Sequence, residues 1–348
     1  MDPLGHLVVT GQMLRAVAEI DEFKGRWESL GKLAPERLSN LRRVATIESV
    51  GSSTRIEGAK LTDDEIGRLL SGLSPRSFRT RDEQEVGGYA EITELIYESF
   101  AEISLTENHI RQLHGTLLKH SAKDERHRGE YKKHPNTVEA FGADGSRLGV
   151  IFETATPFDT PRLMRELVAW TRSALEESAH HPLLVIGAFV VRFLAIHPFE
   201  DGNGRLSRAL TTLLMLRSGY AYAPYCALER IVEENKDAYY LALRRAQATL
   251  DRDESQLGEW LSFFLMCLVR QKEILTRKIE RERVGAPIPP LSEKILAIAR
   301  DHGRVTVREA AALTEANRNT VKEHLKLLVR ASRLVARGRG KGSWYEIP

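Results

Sequence analysis

Cysteine is nearly absent from this chain: 348 residues carry only Cys226 and Cys267, too few for a disulfide framework or for a four-ligand zinc site without other donors. Both read as reduced thiols packed in helices. Long apolar runs are missing too. Residues 1–21 mix His6, Arg15, Glu19 and Asp21 with their aliphatics, which is not the pattern of a secretory signal. The most apolar stretch, residues 183–196, is interrupted by Arg192 and falls short of the ~20 residues that span a bilayer. It reads as a buried helix, and a cytoplasmic protein without membrane contact is expected. Proline and glycine, at 13 and 25 residues, are too sparse for a low-complexity chain, and no internal repeat is visible. The 42% hydrophobic content is too high for a disordered one. At roughly 100 to 200 residues per domain, the length allows two or three domains with ample core.

What the sequence does have is helical periodicity. Apolar residues recur at spacings of three and four in residues 38–50, 83–100, 163–175, 205–216, 237–250 and 257–279, which predicts a mainly α body. Helix punctuation agrees: Thr62 with Glu65 forms a capping box, Thr106 stands where an N-cap would, and Gly219 follows Ser218 as a C′ residue. One stretch departs from the pattern. Residues 136–154 alternate Val138, Phe141, Val150, Phe152 and Thr154 around Asp144-Gly145, which predicts a small β-hairpin.

Residues 281–290, RERVGAPIPP, have the composition of an interdomain linker. Beyond them, residues 292–300, 307–313 and 319–328 read as three short helices, and 334–337 and 344–347 as two strands around a Gly-Arg-Gly-Lys-Gly tip. That order predicts a winged helix-turn-helix. From residue 286 onward, 12 Lys/Arg stand against 6 Asp/Glu, a net of +6 within a chain whose total is +3. The positive charge is concentrated at the C-terminal end.

The chemistry is concentrated in residues 197–208, HPFEDGNGRLSR. An apolar helix delivers His197 and should stop at or before it, because the residue preceding a proline is steered away from the α region. Gly202 and Gly204 allow close backbone approach, and a new helix from about Arg205 presents free N–H groups, together an anion site. Arg205 and Arg208, three apart, can share a face of that helix and imply a polyphosphate ligand. Asp201 is one hard oxygen ligand, enough for Mg²⁺ only if phosphates supply the others, so the metal should arrive with a nucleotide. Each part is commonplace alone; their combination within twelve residues is not. No rival phosphate-binding glycine motif competes with it.

This segment resembles the Fic motif, HxFx(D/E)GNGRxxR, at every specified position. With the flanking helices and hairpin, the resemblance extends over about residues 38–268. It implies a helical Fic fold and transfer of AMP from ATP to a Ser, Thr or Tyr hydroxyl of a target protein, with release of pyrophosphate. On this chain it makes His197 the general base, Phe199 the anchor of the loop and Asp201 the Mg²⁺ ligand. Gly202, Asn203 and Gly204 would bind phosphate oxygens, Arg205 and Arg208 the β and γ phosphates, and Asn235 and Tyr240 the adenosine. The hairpin looks like the family's flap, which would hold a target segment by strand addition.

Upstream, Ser53-Thr54-Arg55-Ile56-Glu57-Gly58 is similar to the family's (S/T)xxxE(G/N) inhibitory motif. Ser53 and Glu57 share one helix face, and the resemblance pairs Glu57 with Arg208, displacing the γ phosphate. It also allows Glu57 to assist removal of AMP from a modified target, and it leaves self-modification and a homodimer open. The expected division is residues 1–110 as the N-terminal region with the inhibitory motif, 111–280 as the catalytic core, 281–290 as linker and 291–348 as the winged helix. As a DNA binder, that last domain would use Arg318, Asn319 and Lys322, with Arg337, Arg339 and Lys341 touching phosphates. The rival reading of the whole is a transcriptional regulator whose Fic body only senses nucleotide. His127, His134, His180 and His181 have no partners at metal spacing and read as surface residues.

Overall fold

The computed structural model describes residues 3–30, 35–71, 78–141, 147–250, 256–284, 289–331, 333–338 and 343–347. It divides into two compact units, Met1–Leu275 and Thr276–Pro348. The first is almost wholly helical: α1 (Gly11–Leu30), α2 (Pro35–Ile56), α3 (Asp63–Ser71), α4 (Arg81–Ser99) and α5 (Glu107–Leu117) precede a hairpin of β1 (Thr137–Phe141) and β2 (Arg147–Glu153). After it come α6 (Thr160–Glu176), α7 (Pro182–Ile196), α8 (Asn203–Arg217), α9 (Leu228–Glu234), α10 (Lys236–Gln247) and α11 (Leu257–Val284), which runs across the boundary between the units.

The core is built around α7. Its sequence is apolar on every side, and all its residues except Pro182, Arg192 and Ala195 are buried, as expected of a helix with no solvent face. It begins at His181, whose Nδ1 accepts the Leu183 N–H at 3.3 Å, and Pro182 takes the first position, where no N–H is needed. On one side the Trp260 indole donates to the Gly187 carbonyl at 2.8 Å, bringing α11 against α7.

The periodic segments are helices, with the expected caps. Thr62 and Glu65 bond reciprocally, Thr106 Oγ1 accepts the His109 N–H at 3.1 Å, and Gly219 has φ +85°. The hairpin is antiparallel, pairing Thr137 with Glu153 and Phe141 with Arg147; its expected Asp144-Gly145 turn lies outside the described residues. The histidines read as surface residues have partners, His134 meeting Glu200 at 3.3 Å. His181 reaches Asp21 at 2.9 Å while capping α7, and His127 pairs with buried Asp124 at 3.1 Å. Among the described residues, no cluster of three or more His, Cys, Asp or Glu could hold a metal, and no helix is long and apolar enough to cross a membrane.

In the second unit, α12 (Pro290–Asp301), α13 (Val307–Thr314) and α14 (Arg318–Arg330) are followed by β3 (Val335–Arg337) paired antiparallel with β4 (Trp344–Glu346). Ile295, Leu296, Val305, Val321, Leu325 and Leu328 form its core. Arg339 and Lys341 of the tip lie outside the described residues.

The closest approach of α4 to α5 is at Gly88, where a Cβ would lie 1.9 Å from the Leu117 carbonyl oxygen. Backbone must move to admit it. Gly88→Ala should therefore cost about 1–3 kcal/mol, the usual scale of overpacking, measured as a lowered urea midpoint.

Candidate active site

The motif loop is the connection between α7 and α8. At its start His197 takes the left-handed conformation, φ 51° and ψ 61°, unusual for a residue with a side chain and worth ~1–2 kcal/mol of strain. The strain is held by the surroundings. The His197 N–H still donates to the Phe193 carbonyl at 2.9 Å, and Nδ1 lies 3.3 Å from the Leu194 carbonyl. That contact puts the ring proton on Nδ1 and leaves Nε2 with a free lone pair. Burial, opposed only in part by the Leu194 carbonyl and assisted by the nearby Lys132 charge, pushes the imidazole down to about 4. The ring is neutral throughout the physiological range.

Phe199 is fully buried and stacks on His114 of α5, with ring centroids 3.8 Å apart and planes at 12°. His114 accepts the Gly129 N–H at Nδ1, 2.8 Å away, so its Nε2 donates to the Asp201 carbonyl at 3.0 Å. Burial pushes this second imidazole down to about 4 as well, which keeps it neutral and able to play both parts. Asn203 completes the loop: its Oδ1 accepts the Phe199 N–H at 3.0 Å and its Nδ2 donates to the Phe199 carbonyl at 2.7 Å. The expectation that Asn203 binds phosphate is thereby narrowed to its backbone, since the side-chain amide is spent holding the turn.

Gly202, at φ +78°, is the N-cap of α8, and the first N–H groups of that helix have no intrahelical partner. Gly204 lies in its first turn; a Cβ there would sit 2.2 Å from Glu57 Oε1. Only glycine lets the Glu57 carboxylate approach this helix end so closely.

The two arginines do not act as a pair. Arg205, 2% exposed, is drawn toward α4: it contacts Glu85 at 3.1 Å and Asp201 at 3.0 Å. Arg208 turns to α2, where Nε donates to Ser53 Oγ at 2.9 Å and Nη2 to the Ser53 carbonyl at 2.9 Å and to Glu57 Oε1 at 2.8 Å. Burial works against the Arg208 charge, but Glu57, and after it the Tyr239 and Tyr89 hydroxyls, more than offset it and hold the guanidinium protonated. Three apart on α8, the two cations are each claimed by a different neighbouring carboxylate. Asp201 is also met by the Gly202 N–H and by Arg81 at 3.3 Å. Burial opposes its charge, yet Arg205, the Gly202 N–H and Arg81 together keep the carboxyl below the usual carboxylate range.

Glu57 is carried by the last turn of α2, where Gly58, at φ +107°, turns the chain away. That helix end is clamped. Arg55 bonds Glu233 of α9 at 2.6 and 3.0 Å and Asp63 of α3 at 2.9 Å, and Lys236 donates to the Ile56 carbonyl at 2.8 Å. Asn235, expected at the adenosine, spends its Nδ2 on the Ile231 carbonyl at 2.8 Å, closing α9. Tyr240 is half-exposed, its ring 5.2 Å from that of Tyr239; burial and then the Glu57 charge raise its phenol, so it lies within the field of the site. Arg318, Asn319 and Lys322 belong to the second unit.

Lys132 went unread in the sequence. Buried to 3% exposure, its ammonium donates to Asn136 Oδ1 and Thr154 Oγ1, both at 2.8 Å, and to the Ile196 carbonyl at 3.0 Å. Its backbone N–H meets the Pro198 carbonyl at 2.8 Å, and Asn136 Nδ2 donates to the Phe199 carbonyl at 2.9 Å. The two stems of the hairpin are thus stapled to the chain on both sides of His197. Burial pushes the Lys132 ammonium down to about 8.

Residues 104–215 match the pattern of the Fic/DOC family. Among curated proteins, the chain is 28% identical over 232 residues to the protein adenylyltransferase Fic of Drosophila yakuba, covering 66% of this chain and 42% of that one. It is 30% identical over 99 residues to a probable protein adenylyltransferase of Aquifex aeolicus, covering 28% of each. The chain spans about two fifths of the length of the fly relatives it matches. Among solved structures, a Fic family protein from Desulfovibrio desulfuricans shares the fold, with a TM-score of 0.63 at 23% identity over 100% of this chain and 98% of that one. A Fic domain containing signaling protein from Bacteroides thetaiotaomicron superposes with a TM-score of 0.60 at 26% identity, covering 76% and 97%. The loop that ends one buried helix on a left-handed histidine and opens the next on two glycines falls within residues 104–215, so the stretch that matches the Fic/DOC family is the one that carries the candidate site.

Proposed function

We propose that the chain transfers AMP from ATP to a Ser, Thr or Tyr hydroxyl of a protein, and that Glu57 restrains it. The observation that carries this reading is the free Nε2 of a neutral His197, held beside the open N-terminus of α8. A hydroxyl presented along the hairpin would give its proton to Nε2 as its oxygen attacks the innermost phosphorus. The bond from that phosphorus to the bridging oxygen then breaks, and pyrophosphate leaves. The N–H groups of the first α8 turn meet the phosphoryl charge without reorganising, which is where such preorganised donors act most strongly. The base is unusual only in being neutral far below pH 7; general bases of this kind contribute ~10²–10⁴-fold.

Asp201 suits Mg²⁺ as a single ionised carboxylate, and phosphate oxygens would have to fill most of the remaining positions. Mg²⁺ held there would offset phosphate charge. Arg205, already fixed by Glu85 and Asp201, lies beside the same oxygen.

The restraint follows from a shared cation. Arg208 gives Glu57 an ionic hydrogen bond, and the carboxylate stands over Gly204 where the end of a triphosphate would lie. One guanidinium edge cannot serve both anions. Ser53 remains on Arg208 when Glu57 is removed, so the cation keeps two of its bonds and gains a free edge for phosphate.

Glu57→Gly should raise incorporation of label from α-labelled ATP into protein by roughly tenfold or more, the scale of one charge-assisted hydrogen bond; equal rates would remove the restraint. His197→Ala in the Glu57→Gly background should lower that rate by ~10²–10⁴-fold while nucleotide still binds by calorimetry. Lys132→Met takes a positive charge away from His197, so the imidazole should titrate at higher pH, followed by NMR of the ring protons. Because the base acts when neutral, the acid limb of the transfer rate should move upward with it, whereas Lys132→Arg should leave the limb near its original place.

A further inference from the structure

The second unit has a surface that the chemistry above does not use. Its helices α13 and α14 are joined by residues 315–317 alone. Glu315 takes the left-handed conformation at φ 55°, and the Asn317 side chain accepts the Asn319 N–H at 2.9 Å to cap α14. A turn this short between two helices is the geometry of a helix-turn-helix. Val321, Leu325 and Leu328 bury one side of α14. Beside that side runs an exposed stripe of Arg318, Asn319, Lys322 and Lys326. Among the described residues Arg318 and Lys322 make no ion pair, while Lys326 is met by Glu323 at 2.8 Å. The residue before α13 also pairs with the hairpin, Val305 exchanging backbone bonds with Tyr345 at 2.7 and 2.8 Å. That ties β4 to the start of the two-helix motif.

We propose that this unit is a winged helix-turn-helix that binds duplex DNA, with the stripe on α14 lying in the major groove. The groove is about 12 Å wide and admits one α-helix. Residues at the N-terminal end of the second helix are those that reach base edges in this geometry. Asn319 has the amide that can pair with both edge atoms of an adenine, and Arg318 the fork that fits guanine. Lys322 and Lys326 supply phosphate neutralisation. Charge points the same way, since the chain from residue 286 carries the +6 while the whole carries +3. A protein partner is the poorer match, because the stripe holds no aromatic or aliphatic anchor and lysine is depleted from the cores of protein interfaces.

The test is a titration of the full chain into a fluorescein-labelled mixed-sequence duplex of about 24 base pairs, read by anisotropy at 50 and 200 mM NaCl. If three charges meet phosphates, affinity should fall roughly 40-fold between the two salt concentrations. The double substitution Lys322→Ala/Lys326→Ala should weaken binding and make the salt slope shallower by about 2. Glu323→Gln, which removes an exposed negative charge beside the stripe, should tighten binding. His197→Ala should leave it unchanged, so the outcome is independent of the transfer reaction. No anisotropy change up to ~10⁻⁴ M protein at 50 mM salt, the weak end of non-specific binding, would overturn the proposal. So would affinity indifferent to salt, or to both charge changes. If the double variant fails to fold by circular dichroism, the direction of the Glu323→Gln shift decides alone.

Discussion

A buried guanidinium has to be partnered, and the partner that Arg208 takes organises the rest of the first unit. Removed from water, an unpaired charge of this kind is costly, and stripping one member from such a pair is more damaging than never having built it. Arg208 meets that requirement through α2, with Ser53 giving both its hydroxyl and its carbonyl and Glu57 its carboxylate. The N-terminal helices are therefore part of the surface around the motif loop itself. They belong to one compact unit with the motif loop, with Arg55 and Lys236 fixing the last turn of α2 against α9 and α10.

The motif loop is organised by a different device, a set of side chains that satisfy its backbone. His114 joins Gly129 to Asp201, Asn203 closes both polar groups of Phe199, and Lys132 gathers Ile196, Asn136 and Thr154. Their effect is to leave few conformations to a loop that must present an imidazole in a strained backbone setting. Phe199 stacked on His114 is the apolar floor of this arrangement. The hairpin and His197 share one support, so on the proposed reading a peptide laid along the hairpin would be registered against the imidazole and not merely near it.

Much of this was legible in the sequence because local signals and chemistry fell in one segment. Helix periodicity, the Thr62 and Thr106 caps, the alternation in the hairpin strands and the spacing of residues 197–208 each have a short-range physical cause. What escaped had a long-range one. Nothing local marks Lys132 as buried, since lysine is usually at the surface, and its partners come from residues 136, 154 and 196. His114 carries no spacing relation to the loop it braces, and Glu85 reaches Arg205 from another helix altogether. Arg205 and Arg208 were read as a pair because helical spacing says which face a residue takes but not which neighbour claims its end. Helix α1 is the exception, with its signal present: Met13, Ala16, Ile20, Phe23 and Trp27 are buried at alternating steps of three and four.

The clamp on the end of α2 bears on how a restraint of this kind can be lifted. The turn that carries Glu57 is anchored to the same short stretch of chain, residues 233–240, that carries Tyr240 within reach of the Glu57 charge. A signal that pulls α2 away must break Arg55 from Glu233 and Lys236 from Ile56 together, so intermediate degrees of release are disfavoured. If Glu57 is the restraint we propose, a ligand settling against Tyr240 would also press on the hinge of the latch, and occupancy of that ledge and freedom of the glutamate would be two readings of one mechanical state.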